Sequence, residues 1–400
     1  MNPIHIKTDE NTINEMQNIN TKKIVHESNE FRLLNFDPLY VCDDDIVNGL
    51  YNSVLVNSNN RIISIGQPKT VQFDTFKKLV KDKNDSCTLE PLLEGISIQL
   101  FYDNSRNKWD FCTKNSIGAN YSYYKTKSDN HFTFKEMFLD AIQLSKNTDI
   151  NDAEFIQTLP KHYCLQFILM HPQHHNVFKI KHPKVYFIGG VILDYEHTIN
   201  DVYFMNKHEN EIFFNEYLFN CGKFFMTEHS TISKNFDEKS LLDLLRNNTE
   251  LNENYIGYII THNDTNLKYT LIDPKYKELQ EIRGTHPNMV FHYICLRKAN
   301  KVTEFLKYFP TYKNDFWKFK NMYDNLIKTI HSYYVQHYIN KNKELIDKSI
   351  FYHVQQIHTT IFLNSLNNGE KKIIKKDVVA SYILQLEPAC VFHLINRYDM

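Results

Sequence analysis

The chain has 400 residues, 42% of them hydrophobic and 23% charged, so it can bury a sizeable core and is not globally disordered. A formal charge of −1 excludes a globally basic nucleic-acid-binding surface and leaves only local lysine patches for phosphate. Seven scattered cysteines with no Cys-x-x-Cys pair give neither a disulfide framework nor a zinc knuckle, and no apolar run has the length of a membrane span or of a signal-peptide core. The expectation is a soluble intracellular protein of two or three domains, in a reducing cytoplasmic compartment, with no membrane partner.

Residues 1–30 are polar and Asn-rich with no sustained period, and read as an N-terminal extension. Short alternating runs begin at Phe31. Tyr51–Asn57 and Arg61–Ile65 flank Ser58-Asn59-Asn60, a hairpin turn. Ile96, Ile98 and Leu100 alternate with Ser97 and Gln99, the pattern of a strand buried on one face. Phe132–Lys146 has helical spacing, with Phe134, Met137, Phe138, Ala141 and Ile142 on one side. Tyr163–Met170, Val185–Leu193, Tyr255–Thr261 and Lys268–Ile272 read as core strands, whereas Asn288–Arg297 fits a strand or a helix.

The period changes after about Val302. Phe316–Asn340, Lys348–Ser365 and Lys376–Arg397 are helical, and Asn367–Lys376 is a solvated loop. The fold class is therefore α+β, with a β-rich domain over 31–300 followed by an all-α C-terminal domain over 301–400. Tyr323, Tyr333, Tyr334 and Tyr338 recur on one helix, as core or as a contact surface.

Five blocks carry the chemistry. They are YNSVLVNSNNRIISIGQPKTVQFDTF (Tyr51–Phe76), LEPLLEGISIQLFYDNSRNKWDFCTKNSIGAN (Leu89–Asn120), KHYCLQFILMHPQHHNVFKI (Lys161–Ile180), NYIGYIITHNDTNLKYTLIDPKY (Asn254–Tyr276) and EIRGTHPNMVFHYICLRK (Glu281–Lys298). Together they resemble the RNA ligase family of the phage RNA ligase 1 type, and most of all the RNA-ligase-like proteins of large DNA viruses. The resemblance implies a ligase-type nucleotidyltransferase domain of antiparallel sheets, unrelated to ATP-grasp, ahead of the helical domain.

In that family a lysine attacks the α-phosphate of ATP, and AMP then passes to an RNA 5′-phosphate. The lysine must lose its proton, and carboxylates must hold metal and ribose. By the resemblance Leu92 stands at the nucleophile, Asn52 at an arginine, Gln166 and Ile256 at glutamates, and Thr270 and Ile272 at lysines. Leucine has no lone pair, and glutamine can hydrogen-bond a ribose but is a poor metal ligand. Lys69, Lys114 and Glu94 keep the family's residue character and imply a residual phosphate- or nucleotide-binding cleft, which Lys161, Lys179, Lys181 and Lys184 extend. Lys268 is offset from both lysine positions and is a weak substitute. His171, His174 and His175 lack a cysteine or carboxylate at ligand spacing and read as a surface loop, so no metal is expected.

The leading expectation is a catalytically inactive, RNA-ligase-like protein that binds RNA or nucleotide, or serves as a subunit beside other viral proteins, with no cofactor. One alternative is an active ATP-dependent RNA ligase using ATP and Mg, with its nucleophile moved to Lys69 or Lys114 and its metal held by Asp103, Glu94 or Asp273. The other is a purely structural interaction scaffold.

Overall fold

The computed structural model describes residues 3–398 except 17, 43–44, 123–131, 175, 248–254, 343–346 and 371. Contacts divide the chain into two units, Met1–Glu278 and Leu279–Met400. The division falls ahead of residue 300 because helix Met289–Lys298 packs on helices Lys313–Tyr334 and Pro388–Tyr398 of the second unit.

The strands of the first unit begin with β1 (Ile4–His5), β2 (Ile19–His26), β3 (Asn29–Phe36), β4 (Val54–Asn57), β5 (Ile62–Ser64) and β6 (Ser86–Leu93). They continue with β7 (Ile96–Asp103), β8 (Lys108–Thr113), β9 (Ser116–Ile117), β10 (Tyr163–Met170) and β11 (Lys184–Ile192). The last are β12 (Asp201–Phe204), β13 (Phe224–Met226), β14 (Ser230–Ser233), β15 (Tyr255–His262) and β16 (Lys268–Ile272). They form three sheets, ordered β1-β12-β11-β10-β7-β8-β9 with β13 on β11, then β14-β6-β15-β16, and β2-β3-β4-β5. All strand pairs are antiparallel except β11 with β13.

Side-chain alternation decides what covers each sheet. On the large sheet Ile98, Leu100, Leu165, Phe167 and Leu169 face one core with helix Phe134–Ala141, which a reciprocal capping box between Thr133 and Glu136 starts. Phe101, Cys112, Cys164 and Val191 face the other way, onto Leu33, Val54, Leu55 and Ile63 of the four-stranded β2–β5 sheet. On the third sheet Cys87, Leu89, Tyr258, Ile260, Tyr269 and Leu271 pack against helices Phe73–Val80 and Glu238–Asn247.

The first thirty residues, read from sequence as an extension, supply β1, helix Glu10–Glu15 and β2, and bury Ile6, Ile13 and Ile19. Their polarity reflects an edge position, because among the described residues β2 pairs only with β3 and leaves most of its side chains in solvent. The hairpin expected at Ser58–Asn60 joins β4 to β5, and Asn60 takes the left-handed conformation that closes it.

The second unit contains helices and no strands among its described residues. Asn288 settles the ambiguous segment as a helix, since its side-chain oxygen accepts from the Val290 and Phe291 amides at 2.9 and 3.2 Å. Tyr323 and Tyr334 are buried core residues, and Tyr338 stacks on His358 at 3.7 Å. No helix among the described residues is long and apolar enough to cross a membrane.

Candidate functional site

The face of the β14-β6-β15-β16 sheet opposite its helices carries three cross-strand rows. Since Cys87 and Leu89 point into the core, Thr88, Glu90 and Leu92 point the other way. Register then gives Thr88–Thr261–Lys268, Glu90–Ile259–Thr270 and Leu92–Gly257–Ile272. Leu92, Thr270 and Ile272, far apart in sequence, thus lie on one face. Ile256 is the extra residue of a bulge beside them, where the register shifts between Tyr255 and Gly257. Gly257 has no alternative at that bulge, for a Cβ there would lie 1.9 Å from the Leu271 carbonyl oxygen.

The polar end of this face borders a cavity of about 380 Å³ that Glu90, Lys207, Asn210, Glu211, His229 and Lys268 help to line. Glu90 Oε1 accepts from Lys207 Nζ at 2.6 Å and from Thr227 Oγ1 at 3.0 Å, and Glu211 pairs with His229 at 3.1 Å. Lys268 Nζ donates to Gln67 Oε1 at 2.5 Å. Burial holds the Lys268 ammonium below the usual lysine range; Glu90 opposes the shift and Lys207 adds to it.

From Gln67 the hydrogen bonding runs inward. Its amide nitrogen donates to Gln166 Oε1, and Gln166 Nε2 donates to the Ile65 carbonyl at 2.8 Å. Asn52 Nδ2 donates to the Gln67 carbonyl at 2.7 Å. Directly across from Gln166 on β7, Gln99 accepts from Ser64 Oγ at 2.7 Å and Ser53 Oγ at 3.3 Å. Gln166 is 1% exposed, and an ionised carboxylate there would set an acceptor against the Ile65 carbonyl. The site is built for an amide.

The other sequence candidates divide. Lys69 and Lys114 both reach the Phe36 ring, their ammonium groups 5.6 and 5.4 Å from its centre, with Lys69 also donating to the Val41 carbonyl at 3.0 Å. Glu94 is buried, and its carboxylate accepts the Asn176, Val177 and Phe178 backbone amides at 2.7, 2.6 and 3.0 Å. It fastens that loop, and none of these three residues lines the Glu90–Lys268 cavity. Lys161 and Lys184 sit at opposite ends of the β10–β11 hairpin, roughly 25 Å apart at strand rise, so they form no single patch.

His171 is buried, not in a surface loop, and its Nε2 meets Asp140 at 3.1 Å; His175 lies outside the described residues. Asp103 is buried on Ser105 and Arg106, and Asp273 accepts the Lys275 amide. Among the described residues no three His, Cys, Asp or Glu side chains are grouped to hold a metal.

Glu90 and Lys207 fall outside the sequence candidates, and Lys268 is offset from both lysine positions of the resemblance. The available signal was strand alternation, which puts Glu90 two residues before Leu92 and Lys268 two before Thr270.

No family model matches the sequence, and no curated protein does. Among solved structures the fold resembles Naegleria gruberi RNA ligase with PPi, at 13% identity and a TM-score of 0.40, over 54% of this chain and 58% of that one. It also resembles a variant of that ligase with ATP and Mn, at 12% and 0.41, over 70% and 83%. An archaeal ATP-dependent RNA ligase is similar at 9% and 0.43, over 96% of this chain and 86% of that chain. This chain spans little more than half the length of the first of these. Likenesses this weak assign no residue a role.

Proposed function

We propose that this chain is a ligase-like nucleotidyltransferase fold that binds RNA or a nucleotide without forming a lysyl-nucleotide. The observation that carries the reading is the apolar row Leu92–Gly257–Ile272 on the cleft face of the third sheet. A side chain without a lone pair cannot open a phosphoanhydride, and Ile272, across Gly257 in the same row, offers no cation to a phosphate. The donor set does not fit a magnesium-bound triphosphate either. Glu90 is paired with Lys207 and Glu211 is bonded to His229, and the one side-chain oxygen of Gln166 is taken by the Gln67 amide. Lys207 and Lys268 are the groups that suit a phosphate, with Lys69 and Lys114 as a second basic pair. The finer assignment to the viral RNA ligase 1 type, and to partners in a viral assembly, rests on the sequence blocks alone.

A relocated nucleophile is the second reading, and Lys268 favours it because burial lowers its pKa and a second ammonium lies nearby. Intact-mass analysis after incubation with ATP or GTP and magnesium or manganese separates the two, beside an authentic ligase labelled in parallel. The binding reading requires no nucleotide adduct together with a ligand-induced rise in melting temperature. An adduct mapped to Lys268, Lys69 or Lys114 would replace it with the enzyme reading.

A further inference from the structure

At the other end of the large sheet lies a larger cavity, of about 710 Å³, and none of its lining residues lines the Glu90–Lys268 cavity. Its apolar lining comes from Ile62 and Ile63 on β5 and from Ile192 and Leu193 at the end of β11. Tyr195, in the segment after β11, also lines it. That ring stacks on Tyr203 at 4.9 Å and 22° between planes, and the Tyr203 hydroxyl is fixed by Glu209 at 2.8 and 3.0 Å. A ring held flat by one stacked neighbour is a platform for a second planar group.

The lip of the cavity is strained. Asp194, Glu196 and His197 take φ values of 49°, 52° and 65°, and Asn200 behind them takes 65°. None is glycine, so the left-handed backbone persists only because the surroundings impose it. Asn200 does this, donating from its backbone amide to Asp194 Oδ1 at 3.0 Å and from its side chain to the Asn60 carbonyl at 2.9 Å, and accepting from the Ile62 amide at 2.9 Å. Strain kept in a loop that walls a cavity marks a pre-shaped ligand site.

Charge selects the ligand. Arg61 is paired with Asp194, and Glu196 balances Lys161, so the walls are close to neutral and do not suit a polyphosphate. Asn59 and Asn104 bring side-chain amides, the groups that read the hydrogen-bonding edges of bases. Lys161, exposed beside the Tyr102 hydroxyl at 3.0 Å, supplies one cation for one phosphate.

We propose that this cavity takes a single unpaired nucleobase with its ribose phosphate, stacked on Tyr195 and edge-bonded by the asparagine amides. The source is a free nucleoside monophosphate or one nucleotide of a single-stranded RNA. The site is separate from the Glu90–Lys268 cleft and does not depend on the reading given to that cleft.

The test titrates the full chain with nucleoside 5′-monophosphates and with a short fluorescein-labelled single-stranded RNA. Tyr195→Ala is expected to weaken binding about tenfold or more, the loss of one stacked base. Lys161→Ala weakens it by a smaller factor. Binding of monophosphates supports the free-nucleotide source, and binding of RNA alone supports the strand. The proposal is overturned when neither probe binds, or when the Tyr195→Ala and Lys161→Ala proteins keep wild-type affinity; loss in Lys268→Ala alone would move the ligand to the cleft. Should Tyr195→Ala fail to fold, photo-crosslinking of a 4-thiouridine RNA to the wild-type chain decides. A crosslinked peptide containing Tyr195 supports the site, and crosslinks mapped only elsewhere refute it.

Discussion

The side-chain amide of Gln166 donates to the Ile65 carbonyl at 2.8 Å while its oxygen receives the amide of Gln67. Both ends of a buried side chain are thereby matched, and the match has a direction. Gln166→Glu reverses one end, and at neutral pH should lose about 2–4 kcal/mol from an unpaired buried acceptor and a buried charge. The protonated acid can donate to Ile65, so its folded-state pKa lies above the unfolded carboxyl value. The loss is therefore small in acid and grows as pH rises past about 4.3. Thermal melts of the variant against pH check this; a pH-independent difference would show that the Ile65 contact is not the cause.

Restoring the nucleophile alone is expected to fail. The Leu92→Lys protein, incubated with ATP and magnesium, should give no mass adduct, because Ile272 still flanks the position and Glu90 and Glu211 are still paired. An adduct on the new lysine would mean that the cleft retains its catalytic electrostatics.

Lys268 ties the cleft to pH. Its ammonium deprotonates below the ordinary lysine range because it is buried. Any nucleotide-induced rise in melting temperature should therefore fade at a lower pH than surface lysines would allow, and Lys268→Ala should remove most of it. Its own linkage to folding has the opposite sign. The unfolded chain holds the proton more tightly, so this group makes stability rise with pH between its folded and unfolded pKa values. Melting with and without ligand, across alkaline pH, measures both.

Glu94→Ala strips three backbone amides of their acceptor at once, and a loss of about 2–4 kcal/mol is expected. Hydrogen exchange should accelerate first at residues 176–178 and leave β6 protected. Uniform acceleration would point to global unfolding instead.

Thiol labelling should follow burial. Burial pushes the Cys87 and Cys164 thiols up to about 11 and Cys112 up to about 12, whereas Cys42 is exposed. Near neutral pH a thiol reagent should label Cys42 first and reach the other three only after denaturation, as peptide mass spectrometry would show.

Much of the large sheet was legible in sequence because both of its faces are covered. Tyr163–Met170 declares itself by apolar content and the helical unit by its period, whereas the alternation of Ile96–Leu100 reads as burial on one face and the structure also buries Gln99 and Phe101 on the other. What stayed hidden has a common cause. β2 is an edge strand with few buried side chains, so Ile19–His26 has no pattern stronger than its polarity. The cleft joins Glu90 to Lys207 and Gln67 to Lys268, pairs 117 and 201 residues apart, and no local signal reports such a contact. Lys69, Lys114 and Glu94 were visible as residue types, but their partners, Phe36 and the 176–178 amides, come from segments that sequence spacing does not bring near them.

β1 pairs with β12 through Ile4↔Val202 and His5↔Asp201, and Thr8 receives the side-chain amide of Asn200 at 2.8 Å. During synthesis β1 therefore lacks its strand partner until about two hundred further residues have followed it. Until then it has only local contacts, and β12, once made, would present a bare edge to any other chain. Closing this sheet late couples the order of folding to the order of translation. A chain whose Ile4–Thr8 segment is occupied by another partner would finish synthesis with that edge still open.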